Sequence, residues 1–393
     1  MNRLQKILNR RTFLSRGAKS VAAAGLAFPF VKTTKIFGYQ DNDPQTETET
    51  HPTLEYRTLG RTGLEVTTVS YGAMRTRDEA IIHQALDMGI NYIDTARTYM
   101  DGFNEQVVGN VLKNRRDDAY LATKILHGLD TAKVISESMD ASLKALQVDY
   151  VDVIQFHMVS EVDYIKNETV MQAIQKIKEE GKARFIGFST HQNQVALIKE
   201  AIKLDFYDMI LVAYNFESSQ ELTDVIKEAA EAGIGIVAMK TQAGGYTDHQ
   251  MGDLSPHQAA LKWVLQNPGV TNAIPSMVTY AQLEEDIQAM GSQMGWYDRK
   301  TLHRYTKAID KTLCRMCNGC RDLCPNQVNV FDVNRSLMYA EGYGDMELAQ
   351  CTFRSISRQQ QPTACLDCSK CSVKCVHGLN IQKKMLRALE IFS

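Results

Sequence analysis

Cysteine is absent from the first 313 residues of this 393-residue chain, and all nine cysteines lie between positions 314 and 375. This distribution indicates that the C-terminal part is a chemically distinct unit. No apolar run reaches the roughly 18 residues that a membrane-spanning helix needs, which excludes a polytopic membrane protein. The 44 basic and 46 acidic residues give a net charge of −2, which does not support a general nucleic-acid binder.

The overall composition is that of a globular protein, with 44% apolar and 23% charged residues. These values exclude a wholly disordered chain. The length predicts two to three domains.

The N-terminus has the features of an export signal. Its first eleven residues carry four basic side chains and no acidic one, and the segment 9–14, with Arg10 and Arg11, matches a twin-arginine signal. A weakly apolar stretch at 21–31 suits the hydrophobic part of a signal peptide. We predict a twin-arginine signal region at 1–40 and a polar linker at 41–54. The alternative is a basic amphipathic helix.

This signal predicts export by the twin-arginine machinery to a periplasmic or extracytoplasmic location, with no stable membrane span afterwards. The twin-arginine route carries proteins that are already folded. It would therefore accept a chain whose cofactors are inserted before export.

Strand-like runs alternate with helical patterns from Glu55 onward. Two short runs flank the turn at 60–63 and predict a hairpin. Buried strands are then predicted at 67–73, 91–95, 119–125, 150–157, 185–190, 208–214, 235–240 and 271–276. Eight β-then-α units favour a closed (β/α)8 TIM barrel, which we place at 55–295. A doubly wound open sheet is the alternative, although no G-x-G-x-x-G motif follows the first strand.

Four polar residues mark the carboxyl ends of successive strands, where a barrel builds its active site. Asp94, Lys124 and His157 each end a strand, and Tyr99 follows Asp94 by five residues. A lone lysine or histidine at such a place is more often structural. Together, however, a phenol, an ammonium that favours the phenolate, a carboxylate that holds the ammonium and a histidine suit proton exchange with a carbonyl oxygen.

The segments that carry these residues resemble the aldo-keto reductases, from the hairpin at 56–63 through the signature at 89–96 with Tyr99 and Glu105. The resemblance implies a small carbonyl or alcohol substrate. It also implies that Tyr99 is the general acid and base, that Lys124 tunes it, that Asp94 pairs with Lys124, and that His157 binds the carbonyl.

The same resemblance implies a nicotinamide nucleotide, NADP or NAD. The implied nucleotide contacts are Ser189, Thr190, Tyr214, Glu285 and Asp286. Several family positions differ in this chain. The aromatic residue that stacks on nicotinamide is replaced by Met239 or Lys240, and the arginine of the adenosine-phosphate loop is Val278.

Two cysteine runs dominate the C-terminal part, where we place a domain at 296–393. Each run reads C-x2-C-x2-C-x3-C, which resembles the bacterial ferredoxin motif. That resemblance implies two [4Fe–4S] clusters with crossed ligands. One cluster would bind Cys314, Cys317, Cys320 and Cys375, and the other Cys365, Cys368, Cys371 and Cys324. Structural zinc and disulfide bonds are the alternatives.

The intervening segment has helical character, so the module resembles the helical ferredoxin type. Cys351 fits neither run. The favoured function is an exported oxidoreductase with its own electron relay, which could act with a redox partner protein. The alternative is an electron-transfer or docking protein whose barrel only supports the clusters.

Overall fold

The computed structural model describes residues 53–126, 128, 131–244, 256–309, 313–316 and 319–392. The signal region, the first part of the linker and Cys317 lie outside the described residues. Strands β1 (Tyr56–Thr58) and β2 (Glu65–Thr67) form the predicted antiparallel hairpin. A Cβ atom at Gly60 would lie 2.2 Å from the backbone nitrogen of Gly235, so only glycine allows the hairpin to approach the barrel this closely.

Eight parallel strands follow in a single sheet with neighbours in chain order. They are β3 Tyr71–Gly72, β4 Tyr92–Asp94, β5 Tyr120–Leu126, β6 Val151–His157, β7 Ala183–Thr190, β8 Met209–Ala213, β9 Gly235–Met239 and β10 Asn272–Ala273.

The first and last strands of this sheet meet. A parallel bridge joins Val69 to Ala273, and the Ser70 amide donates to the Ala273 carbonyl at 2.8 Å. An open doubly wound sheet would leave its outer strands apart, so the prediction of a (β/α)8 barrel is confirmed.

Helices follow the strands and continue into the C-terminal part. They are α1 Glu79–Asp87, α2 Phe103–Leu112, α3 Ala132–Leu146, α4 Val162–Ile165, α5 Glu168–Glu179, α6 Gln194–Leu204, α7 Gln220–Glu231, α8 Pro256–Leu265, α9 Tyr280–Ile287, α10 Trp296–Ile309, α11 Val330–Leu337, α12 Met346–Arg354 and α13 Ile381–Phe392. Among the residues that the model describes, no helix is long and apolar enough to cross a membrane.

Sequence patterning explains why these helices lie where they do. Helix α7 is capped at its N-terminus by Ser219, whose side chain accepts a hydrogen bond from the Leu222 amide. Its apolar residues Leu222, Val225, Ile226 and Ala229 recur at helical spacing and are buried against the sheet. The barrel interior holds a second apolar layer, which includes Leu211 and Val237. Polar side chains are therefore left for the ends of the strands.

The C-terminal part lies against the barrel, over the carboxyl ends of its strands. Helix α10 packs on α8, where Leu302 contacts Ala259 and Ala260. Helices α11 to α13 enclose a separate apolar core together with cysteine side chains. A short π-helix, Met338–Gly342, joins α11 towards α12. A Cβ atom at Gly342 would lie 2.3 Å from the Gly244 carbonyl oxygen, so backbone packs directly on backbone here.

Ion pairs reinforce this contact. Arg77 Nη1 lies 3.4 Å and Arg75 Nε 3.7 Å from the Asp345 carboxylate. Arg75 also donates to the Tyr343 carbonyl at 2.8 Å. Because Asp345 and the Arg75 side chain are nearly buried, water screens these pairs less than it screens a surface pair. Two arginines after β3 therefore hold the residues that follow the π-helix over the barrel mouth.

Candidate functional site

The structure brings Asp94, Tyr99, Lys124 and His157 together at one end of the barrel. Asp94, Lys124 and His157 lie at or near the carboxyl ends of β4, β5 and β6. Tyr99 begins a 3-10 turn in which Met100 and Asp101 adopt left-handed backbone conformations. These residues share a site because parallel neighbouring strands deliver their ends to the same rim.

The Lys124 ammonium is the centre of the polar network. It donates to the Asp94 carboxylate, to the Thr95 carbonyl at 2.7 Å and to the Tyr99 hydroxyl at 3.3 Å. The other Asp94 oxygen accepts from Gln155 Nε2 at 2.9 Å. Asp94 and Lys124 are both buried, so each depends on the other to remain charged away from water.

The proton affinity of Tyr99 differs from the expectation. The sequence suggests that the neighbouring ammonium lowers its pKa, but the pKa of Tyr99 lies well above its usual value. Burial of the phenol is the main cause, and Asp94, Tyr339 and Tyr343 act in the same direction. Tyr99 is therefore a neutral phenol that holds its proton more tightly than a free tyrosine does.

His157 is fixed beside this phenol. Its Nδ1 lies 3.0 Å from the Thr98 hydroxyl, and its ring meets the Tyr99 ring edge-on with centroids 5.5 Å apart. Glu105, which is also in the family signature, is buried behind the site. It accepts from the Thr123 hydroxyl at 2.7 Å and pairs with Arg97. Glu105 therefore supports strand β5 next to Lys124.

Tyr99 and His157 stand between two cavities. An inner cavity of about 90 Å³ lies over the barrel axis and is lined by Lys240, His191, Tyr339 and Tyr343, among others. An outer groove of about 830 Å³ runs between the barrel and helix α12. Both cavities share Tyr99 and His157 in their walls. A proton donor in this position can serve a ligand in either space.

The C-terminal part supplies walls that the barrel alone lacks. Tyr339 and Tyr343 lie with their rings 5.2 and 5.4 Å from the Lys240 ammonium. No periodicity in the sequence indicated this contact, because it joins positions about a hundred residues apart. Lys240 and His191 each directly follow a strand. Polar residues at strand ends were the pattern that indicated Asp94, Lys124 and His157. His191 shows the same pattern but was not among the predicted site residues.

The five residues implied as nucleotide contacts, all within the described part of the chain, do not line the inner cavity or the outer groove. The Ser189 hydroxyl accepts from the Met158 amide at 2.9 Å, and the Thr190 hydroxyl donates to the Gln192 carbonyl at 2.6 Å. The Tyr214 hydroxyl lies 3.1 Å from that of Thr223 on α7, on the helix side of the sheet. Glu285 and Asp286 are on α9. Among the described residues that line the inner cavity and the outer groove, none of these five appears.

The cysteines of the second run lie near the last cysteine of the first. The pKa of Cys365 is raised to about 11, mainly by burial and in part by Cys324, Cys368 and Cys371, which lie close enough to contribute. Asn326 Nδ2 lies 3.6 Å from the Cys368 sulfur. This is the crossed set implied by the ferredoxin resemblance.

The other described run cysteines, Cys314, Cys320 and Cys375, belong to the same apolar core. Cys351 is exposed on α12. No disulfide joins the eight described cysteines. Within the described ranges, no three His, Cys, Asp or Glu side chains converge to hold a single metal ion. The thiolates of a cubane cluster bind different irons, and so need not converge on one point.

Known proteins that resemble this chain support the assignment of a (β/α)8 barrel. A model described as the aldo/keto reductase family matches residues 68–253. Methylglyoxal reductase DkgB of Escherichia coli O157:H7 is 30% identical, across 59% of this chain and 90% of its own length. L-galactose dehydrogenase of Arabidopsis thaliana is 28% identical, across 60% and 88%. The uncharacterized oxidoreductase YqkF of Bacillus subtilis is 28% identical, across 65% and 97%.

A solved structure shows the same relation. The holo form of aldo-keto reductase AKR11C1 from Bacillus halodurans is 25% identical, with a TM-score of 0.54, and the match covers 64% of this chain and 96% of that one. About a third of the present chain therefore has no counterpart in that protein.

Proposed function

Because the chain belongs to the aldo/keto reductase family, whose members are oxidoreductases, we propose that it interconverts a small carbonyl compound and its alcohol at the site around Tyr99. One observation carries the proposal: the pair formed by Asp94 and Lys124 supports Tyr99, which stands with His157 in the wall between two cavities. Enzymes of this family use NAD(P)H, and a nicotinamide nucleotide, when bound, supplies the hydride.

The proton steps belong to this chain's own residues. Tyr99 donates its hydroxyl proton to the carbonyl oxygen as that oxygen gains charge. The phenolate that is left faces the Lys124 ammonium, whose Nζ lies 3.3 Å from the phenol oxygen. Asp94 keeps Lys124 in place, and His157 orients the carbonyl. In the oxidative direction the same phenol accepts the alcohol proton.

We propose further that the C-terminal part holds two [4Fe–4S] clusters in a ferredoxin-like domain. The proximity of Cys324 to Cys365, Cys368 and Cys371 supports the crossed ligand set. When bound, such clusters carry single electrons. Tyr339 lies in the apolar core beside the cysteines and also lines the inner cavity. This shared residue supports an electron path between the clusters and the site around Tyr99.

We propose that the folded chain is exported by the twin-arginine route to a periplasmic or extracytoplasmic location. The arginine pair and the weakly apolar segment after it support this proposal. A redox partner protein would then exchange electrons with the C-terminal domain.

A second function has one observation in its favour. Tyr339 and Tyr343 stand in the wall of an inner cavity of only about 90 Å³, well below the roughly 300–1,000 Å³ typical of ligand sites. This favours a non-catalytic electron-transfer or docking protein whose barrel supports the clusters.

One experiment separates the two functions. The full chain is purified without oxygen, its iron, sulfide and bound nucleotide are measured, and reduction of methylglyoxal with NADPH and with NADH is assayed. Methylglyoxal is a reasonable first substrate because one relative is a methylglyoxal reductase. We expect about eight irons and eight sulfides per chain and measurable turnover. Stoichiometric zinc without labile sulfide would refute the clusters. Clusters without any nucleotide binding or carbonyl reduction would favour the scaffold.

A further inference from the structure

Lys240 is held at the bottom of the inner cavity in an unusual way. It follows the last residue of β9 and adopts a left-handed conformation with φ of 57°, which costs free energy for a residue with a side chain. Its carbonyl accepts from Asn215 Nδ2 at 3.1 Å. Its ammonium lies beside the rings of both Tyr339 and Tyr343, 5.2 and 5.4 Å from their centroids. The fold thus maintains a costly backbone geometry that places this ammonium in the cavity.

The two phenols also keep this lysine charged. Burial by itself lowers the pKa of Lys240, but the oxygens of Tyr339 and Tyr343 outweigh it, so the pKa is raised above its usual value. Within the part of the chain that the model describes, no carboxylate forms an ion pair with Lys240. Its ammonium hydrogen-bonds to the Tyr343 hydroxyl, and the Met74 sulfur lies 4.0 Å away. The cavity therefore contains an ammonium without an acidic partner.

The other charges around the cavity are already paired. Asp94, the carboxylate in its lining, is bound to Lys124. Arg75 is committed to Asp345 and to a carbonyl. Arg335, which lies near His191, pairs with Asp332 at 2.9 Å. The inner cavity therefore has one positive charge in excess, and its ligand should carry a compensating negative charge.

We propose that Lys240 binds the carboxylate of a small oxo acid, whose carbonyl then faces Tyr99. This inference rests on the proposed carbonyl chemistry. Lys240 and Tyr99 line the same cavity, so the bound anion lies near the proton donor. A single ammonium that has no carboxylate partner among the described residues suits a monovalent carboxylate, whereas phosphate groups usually receive several donors. The small volume favours an acid of a few heavy atoms.

The test compares two aldehydes of similar size, glyoxylate with a carboxylate and methylglyoxal without one. We expect wild type to prefer glyoxylate. Lys240→Met should raise the KM for glyoxylate by about tenfold to a hundredfold, the usual effect of losing a hydrogen bond to a charged group. It should leave the KM for methylglyoxal nearly unchanged, and Lys240→Arg should retain the preference for glyoxylate.

Lys300→Met is the matched control, because its ammonium also lies over an aromatic ring, that of Trp296 on α10, at 4.9 Å. It should change neither substrate. Equal kcat/KM for the two aldehydes in wild type would overturn the inference while leaving the proposed function intact. If Lys240→Met instead weakens NADPH binding and leaves the glyoxylate KM unchanged, the anion is a nucleotide phosphate, and the inference is again overturned.

Binding of oxamate, an unreactive analogue of an oxo acid, separates this inference from the proposed function. Its affinity is measured by calorimetry and needs no turnover. Lys240-dependent oxamate binding in a chain that reduces no carbonyl would support the anion site and refute only the proposed function. Absence of oxamate binding in an active wild-type enzyme would refute the anion site.

Discussion

The Lys124 ammonium donates to the Tyr99 hydroxyl across 3.3 Å, yet the pKa of Tyr99 is raised. The ammonium is already bound to Asp94, so its charge is largely compensated. Burial of the phenol then decides the direction of the shift. Tyr99 is therefore protonated before the reaction. Lys124 acts mainly by stabilising the phenolate that forms during reduction.

Tyr99→Phe should lower carbonyl reduction by about 10²–10⁴-fold, because the variant loses the proton donor but keeps the ring. Nucleotide affinity, measured by fluorescence titration, should not change. Tyr280→Phe on the exposed surface is the control and should keep full activity. Equal turnover by wild type and Tyr99→Phe would show that the four residues no longer act in catalysis.

The raised pKa of Tyr99 also predicts the pH dependence. A phenol with an ordinary pKa of about 10 would begin to lose its proton near that pH. Because the pKa of Tyr99 lies well above this value, the kcat for reduction should show no alkaline limb up to about pH 10. A kcat that falls between pH 7 and 9 would contradict the raised pKa of Tyr99.

Lys124→Met should cost stability as well as activity. The change leaves the buried Asp94 carboxylate without its partner, and breaking a buried pair costs about 3–5 kcal/mol. The double variant Lys124→Met with Asp94→Asn removes both charges and should recover much of the loss. Urea denaturation measures the free energy of unfolding. A double variant no more stable than the single one would argue against the pair.

His191 should make the protein less stable in acid. Burial lowers its pKa well below the usual value of about 6.5, and the charges of Lys240, Arg335 and Lys124 lower it further. Below about pH 6.5 this histidine is protonated in the unfolded chain but stays neutral in the folded chain, so stability falls as the pH falls. His191→Gln should reduce this slope between pH 7 and 5, and His303→Gln at an exposed position is the matched control.

Cys324→Ser should disturb the cluster that we assign to Cys365, Cys368 and Cys371. The proximity of these four sulfurs places Cys324 with the second run, although it belongs to the first in sequence. Electron paramagnetic resonance of the reduced protein should show one altered signal, and Cys351→Ser should alter none. A change that matches that of Cys320→Ser would mean that each run holds its own cluster.

Replacement of Arg10 and Arg11 by lysine should block export. The twin-arginine machinery reads the arginine pair itself, so a pair of lysines keeps the charge but loses the signal. Cell fractionation should find the variant in the cytoplasm and wild type outside it. A double variant that still reaches the periplasmic fraction would refute this assignment of the N-terminus.

The sequence alone predicted the barrel and the site formed by the four residues Asp94, Tyr99, Lys124 and His157. Both follow from local rules: buried strands are short apolar runs, and in parallel units each strand end reaches the same rim. Asp94, Lys124 and His157 could therefore be grouped without coordinates. The cysteine spacing also predicts a ligand chemistry from a few consecutive residues, and the clusters stay a prediction.

The contact between Lys240 and the two tyrosines of the π-helix depended on tertiary structure. Tyr339 and Tyr343 reach the cavity because Gly342 lets backbone pack on backbone and because Arg75 and Arg77 bind Asp345. The direction of the Tyr99 pKa shift was also undecided by the sequence. It depends on the balance between burial and a charge that another residue already compensates, and that balance exists only once the chain has closed around the phenol.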